Sequence, residues 1–367
     1  MKETDQTTTA STIQQNTPDA LHADIEALLS SRCTIPGSLP QWERAFTKLC
    51  MAWGRIEDSI NPVHIVYSAD NGITEEPHIQ YPQSITYHHT VNMLHGGATI
   101  SAFCRFNTIP LVIADVGINH PEPVGLNLKA TTGTKNFTKE PSMSKEEYTH
   151  VWNEAAQLIA TQKEAGYNLI SFGEMGIGNT TTSAAVLSAL TGLPPKETVG
   201  YGSGASEETY RIKRDVVRRG LALHHDAMTS PQDILRCVGG FDLVALTSSM
   251  LACMEQQLPF VIDGFITAVA LATAYAIDPK VADYALPSHQ SRETGMTAAL
   301  AFAHQPPESV MLHASMALGE GSGAVLMVQL LKTIYYAFTH IISLEDICER
   351  TPAYRGGSFL LQREQHH

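Results

Sequence analysis

Past Pro62 the chain alternates short β-branched or wholly apolar runs with longer segments of helical spacing, and this alternation limits what the sequence can become. The runs at 63–68, 111–114, 169–172, 243–246, 260–262 and 310–313 have the length and composition of strands. Several are apolar nearly throughout, as expected of strands covered on both faces. Helical spacing falls at 85–104, 145–165, 180–191, 206–225, 264–276 and 323–338. Strand and helix in alternation predict an α/β fold: a Rossmann-like, doubly wound parallel sheet. Ligands bind such sheets beyond the carboxyl ends of the strands, so the Gly- and Asp-bearing segments that follow each run are where a site is expected.

The flanks read differently. Residues 1–17 are Thr, Gln and Ser with nothing to bury, and are expected to be disordered. Segments 19–29 and 41–54 carry helical stripes, Leu21–Ile25–Leu28 and Trp42–Phe46–Leu49–Trp53. The expected division is a tail (1–17), a small helical domain from both termini (18–60 with 336–367) and a large α/β catalytic domain (61–335).

Composition excludes some partners. With 24 Lys+Arg against 37 Asp+Glu the net charge is −13, which repels phosphate backbones and anionic lipid. Neither nucleic acid nor a membrane is expected as a partner. The apolar segment 264–277 is too short to span a bilayer. The N-terminus has no apolar signal core, and the six cysteines are scattered without C-x-x-C spacing. Reduced thiols in a cytoplasmic protein are the reading that follows.

Four segments carry chemistry. GEMGIGNTTT (173–182) follows a strand and opens a helix. Its glycines, Gly176 among them, let backbone approach a ligand. Asn179 and Thr180 are cap candidates, and the helix N-terminus favours an anion. Glu174 and Met175 fall at the strand tip. Alternatively this is a capped turn with a solvated Glu. VGYGSGASEE (199–208) offers the backbone of Gly202 and Gly204 as a nest for phosphate, ahead of a helix with Lys213. It is not G-x-G-x-x-G, so a dinucleotide-dependent oxidoreductase finds no support. LGEGSGA (318–324) sets Glu320 between Gly319 and Gly321, after Leu318. A carboxylate with so little bulk beside it suits a general base against a substrate, or else an exposed loop. In SHQS (288–291), His289 reads better as a hydrogen-bonded structural residue than as an acid or base, and Ser291 as a helix cap. Metal-ligand spacing, a nucleophile elbow and a Walker loop are missing from the sequence, and the adjacent pairs His88–His89 and His224–His225 splay on their helices.

Together with ADNGI (69–73), NMLHGGATISAFCR (92–105), ADVGI (114–118), GTKNFTKEPSMS (133–144), VGGFDLVAL (238–246) and PFVIDGFIT (259–267), these segments resemble, in order and over roughly residues 60–335, the nicotinate-nucleotide:dimethylbenzimidazole phosphoribosyltransferases of cobamide lower-ligand assembly. The resemblance implies a dimer whose partner reaches each site. It implies transfer of 5-phosphoribose from nicotinate mononucleotide to an aromatic base, with neither metal nor cofactor. Glu320 would be the base and Glu174 a second carboxylate near the ribose. Lys213, Ser291 and the Gly202 and Gly204 backbone would contact phosphate or sugar, and Tyr81 and His88 would wall the aromatic pocket. Asn71 stands where His is frequent, His88 where Gln is frequent, and RETGM follows SHQS. These departures touch the acceptor side. Phenol or p-cresol is therefore an expected acceptor beside dimethylbenzimidazole, with His88 bonding the phenol. The partner subunit would be identical or paralogous, and the alternative is that this chain is a catalytically weak paralogue supporting an active partner.

Overall fold

A computed structural model describes residues 17–35, 37–79, 81–200 and 206–350. The expected tail at 1–17 lies almost wholly outside these residues. Six strands make one sheet: β1 (Pro62–Ala69), β2 (Leu111–Gly117), β3 (Leu126–Asn127), β4 (Leu169–Met175), β5 (Phe260–Ile262) and β6 (Ala285–Pro287). Their order is β3-β2-β1-β4-β5-β6, and every pair is parallel. All carboxyl ends therefore share one edge. The order reverses beside β1: β2 lies on one side, β4 on the other. A crevice opens where the connections diverge.

Strand β1 is buried along its whole length, and its residues alternate between two apolar layers. Val63, Ile65, Tyr67 and Ala69 face the layer containing helices Lys145–Glu164, Phe241–Glu255 and Phe265–Ile277. Val66 faces the other, built from Pro18–Ser31, Pro40–Trp53, Thr99–Phe106 and Ser322–His340. Each fully buried Val, Ile or Phe contributes roughly 1.5–3 kcal/mol. The terminal helices do pack together: Phe46 lies tilted against Tyr335 at 5.0 Å and meets Phe338 edge-on at 5.5 Å. Their core is shared with sheet residues Val66, Ile113 and Leu169, and the expected boundary at 335/336 falls inside one continuous helix, Ser322–His340.

Two expected strands are not strands. Residues 243–246 lie inside helix Phe241–Glu255, which is buried on every side. A helix apolar all round has no stripe, so LVAL looks like a buried strand. Residues 310–313 form only an isolated bridge, His289 with Leu312. The expected helix 85–104 is two, Ile85–Leu94 and Thr99–Phe106, broken at Gly96 with φ +83°. The short strands β3 and β6 lacked a sequence signal. Among the described residues no helix is long and apolar enough to cross a membrane.

Candidate active site

A cleft of about 520 Å³ opens at the carboxyl edge, on both sides of the β4 tip. Its two ends have opposite chemistry.

One end suits an anion. After β4 the chain turns through Gly176–Ile177–Gly178, and Gly178, at φ +92°, caps helix Asn179–Thr191 without a side-chain acceptor. Asn179, expected as a cap, is instead the first helical residue. Its amide turns inward, donating to Glu174 Oε2 and, at 3.0 Å, to Asp242 Oδ2. The uncapped helix start, with its partial positive charge, thus stays open to the cleft, where Thr180 and Thr181 line it. Lys213 comes from helix Glu207–His224 and is 6% exposed. Its Nζ donates to Thr180 Oγ1 at 3.0 Å and to the Gly200 carbonyl at 3.4 Å. Burial holds this amine below the usual lysine range, partly offset by Glu293. An anion here would offset the hydration that burial removes from the ammonium. Ser291 also lines the cleft.

The other end carries Glu320, 6% exposed. Gly319, Glu320 and Gly321 are all left-handed, at φ +84°, +63° and +86°. For the glutamate this costs about 1 kcal/mol or more, so the surroundings must impose it. They do so through backbone. Asp263, directly after β5, accepts from the Gly321, Gly323 and Ala324 N–H groups at 3.3, 2.8 and 3.1 Å, capping helix Ser322–His340. His64 of β1 donates from Nε2 to the Glu320 carbonyl at 3.1 Å, while its Nδ1 lies 2.7 Å from Ser171 Oγ. Burial depresses the His64 pKa to about 4, so it serves as a neutral donor. That carbonyl presses so closely on β4 that a Cβ on Gly173 would sit 2.2 Å from it. The carboxylate itself is gripped at both oxygens: His89 Nε2 is 2.6 Å from Oε1, and the Ile100 N–H donates to Oε2 at 3.1 Å.

Between the ends sits Glu174, pushed up to about 8 by burial first and then by the charges of Asp242, Asp263 and Glu320. Asp263 and Asp242 are raised by burial to about 7 and about 6. At neutral pH Glu174 is therefore mostly a protonated hydrogen-bond donor.

Most of the expected site residues gather here. Glu320, Glu174, Met175, Gly176, Asn179, Thr180, Lys213, Ser291, Leu318, Gly319 and Tyr81 all line the cleft. Gly321 lies just behind it, where a Cβ would meet the His64 ring at 2.1 Å. Gly202 and Gly204 lie outside the described residues. His88, expected on the pocket wall, is exposed, set edge-on to Tyr87 and absent from the lining of this cleft, whereas His89 lines it. One residue is a 100° turn on a helix, and the stripe Thr86–Thr90–Met93 that faces inward includes the direction of 89, not 88. His289 lines the cleft in a hydrogen-bonded setting, with Nδ1 2.9 Å from Ser288 Oγ. Sequence reasoning missed His89, His64 and Ile100 as partners of Glu320, and Asp263 as the acceptor for the backbone that follows it. Asp263 had a usable signal, an acid at the end of an apolar strand run in VIDGF.

A family model described as phosphoribosyltransferase matches residues 15–346. A nicotinate-nucleotide–dimethylbenzimidazole phosphoribosyltransferase of Vibrio cholerae is 35% identical over 334 residues, covering 88% of this chain and 96% of its own length. A protein of the same name from Cupriavidus necator is 34% identical over 317 residues, covering 85% of this chain and 90% of its own. Among solved structures, CobT of Thermus thermophilus superposes with a TM-score of 0.83 at 32% identity, covering 89% of this chain and 97% of its own. With an all-parallel sheet and this cleft at its carboxyl edge, the chain belongs to the phosphoribosyltransferase family that these relatives represent.

Proposed function

We propose that the chain transfers 5-phosphoribose from nicotinate mononucleotide to a benzimidazole-type base, with Glu320 as general base. The observation that carries this is the Glu320 carboxylate, held by the His89 and Ile100 donors in a cleft whose far end presents Lys213 and an open helix N-terminus. The phosphate lies at Lys213 and Thr180, and the ring to be deprotonated at Glu320. The acceptor ring nitrogen forms a bond to the anomeric carbon as the bond from that carbon to the pyridinium nitrogen breaks. The acceptor's proton passes to Glu320, and nicotinate departs neutral at its ring nitrogen. The cationic leaving group needs no acid, so positioning and deprotonation supply the acceleration. Glu174, protonated, donates to a ribose oxygen. The product is an α-ribosyl phosphate for cobamide synthesis.

Of the three departures that suggested phenol and p-cresol, Asn71 and the RETGM segment remain, while His88 is exposed away from the lining; the reading takes the benzimidazole as the first acceptor, since that is what the relatives' names carry. The dimer belongs to the same reading: Tyr81 and Leu318 on the cleft wall are 54% and 53% exposed, as suits positions that a second subunit, identical or paralogous, would cover. The test is incubation of the purified chain with nicotinate mononucleotide and, in parallel, dimethylbenzimidazole, phenol and p-cresol, with products identified by mass. Ribosyl phosphate of the benzimidazole is expected. If the chain turns over none of the three alone but an added homologous subunit is active whether or not Glu320 is intact, the supporting-subunit alternative holds instead.

A further inference from the structure

We propose that His89 is a positioning residue for this transfer: its Nε2–H, together with the Ile100 N–H, fixes the Glu320 carboxylate as an anion with its remaining lone pairs turned to the acceptor. The inference rests on the reading of Glu320 as the base and deepens it.

The geometry is specific. An ionised carboxylate only accepts, so the proton in the 2.6 Å contact between His89 Nε2 and Glu320 Oε1 belongs to the imidazole. Charge-assisted bonds of this length are the strong ones. The second oxygen is held by a backbone N–H in the first turn of helix Thr99–Phe106, where the helix end adds positive potential. Among the described residues each oxygen thus has one donor and keeps a lone pair. A carboxylate in that state is anchored without being neutralised, as a base in an enclosed site must be.

His89 is itself held in place. Helix Ile85–Leu94 is pinned to the turn after β4, because the Ile177 N–H donates to Thr86 Oγ1 at 3.1 Å. The next helix is tied to it by Ser101 Oγ, which donates to the Met93 carbonyl at 2.7 Å. Glu320 is therefore clasped between two helices fixed to each other. Its position in the cleft depends on both clasps, not only on its own strained backbone. The His89 side chain is 30% exposed against 7% for Glu320, so the imidazole also separates the carboxylate from bulk water.

The experiment compares His89→Ala, His89→Gln and Glu320→Gln in the full chain, with nicotinate mononucleotide and dimethylbenzimidazole as substrates. Loss of one hydrogen bond to a charged group predicts about a 10- to 100-fold fall in kcat for His89→Ala. The KM for nicotinate mononucleotide should stay within about twofold, since that substrate is held elsewhere. His89→Gln keeps an N–H donor at similar reach and should recover most of the rate. Two results overturn the inference while leaving the Glu320 reading intact: wild-type kcat in His89→Ala beside an inactive Glu320→Gln, or equal losses in both His89 variants with a matching fall in melting temperature. Wild-type activity in Glu320→Gln would overturn the Glu320 reading, and the role of His89 with it.

Discussion

Glu320 is held from behind by backbone and from in front by two donors, so its neighbours divide into those that shape the loop and those that orient the carboxylate. Asp263 and His64 belong to the first group, His89 and Ile100 to the second. At the opposite end Lys213 is a buried amine whose ordinary partner is a neutral hydroxyl. Lys213→Ala should raise the KM for nicotinate mononucleotide by about 10- to 100-fold, the value of a charge-assisted bond to phosphate, with a smaller effect on the KM for dimethylbenzimidazole. Steady-state kinetics with each substrate varied in turn would measure the split. Equal effects on both would place the phosphate elsewhere. At this scale the sequence was informative wherever glycines marked a residue: Glu174 and Glu320 stood out by their neighbours alone. Residue pattern alone left His88 and His89 undistinguished, because two adjacent histidines on a helix give no sign of which faces inward until the helix is docked.

Among elements, the carboxyl end of β4 and the loop before helix Ser322–His340 press directly on each other. A Cβ on Gly173 would lie 2.2 Å from the Glu320 carbonyl oxygen and 2.7 Å from the Gly321 nitrogen, both backbone atoms that cannot swing aside. Gly173→Ala should therefore move the 319–321 loop, lowering the melting temperature and reducing kcat by at least about tenfold; overpacking of this kind costs roughly 1–3 kcal/mol. An unchanged melt and rate would mean that the loop has room that this packing denies it. Strands β1, β2, β4 and β5 were legible because each is a compact apolar run leading into a Gly- or Asp-containing segment. Residues 243–246 were not, since a helix buried on all sides and a buried strand share one composition. Two-residue β3 and three-residue β6 owe their state to neighbouring strands rather than to local pattern.

For the molecule as a whole, the parallel sheet directs the loop that follows each strand to one edge and gathers carboxylates there, with consequences for stability. The pKa values of Glu174, Asp263 and Asp242 are raised to about 8, 7 and 6 from ordinary values of 4.5 and 3.8. These three carboxyls bind more protons in the native state than in the unfolded chain between pH about 4 and 8, so their contribution to stability falls as pH rises through that window, opposed below pH about 6.5 by His64 and His78, which burial holds down to about 4. Glu174→Gln, which stays neutral, should flatten the upper part of that fall between pH about 6 and 8. Thermal melts across the series would show it, and parallel wild-type and variant curves would contradict it. The dimer is also a question at this scale. Light scattering should give about twice the 39.9 kDa chain mass, and a monomer at working concentration would remove the partner from the site.

The central claim is that the carboxylate at 320 takes the acceptor's proton. Nicotinate release by Glu320→Gln, measured with saturating nicotinate mononucleotide and dimethylbenzimidazole, tests it most directly. Loss of general-base help predicts a kcat about 10²- to 10⁴-fold below wild type with little change in nicotinate mononucleotide binding. A variant that releases nicotinate at the wild-type rate would contradict the account.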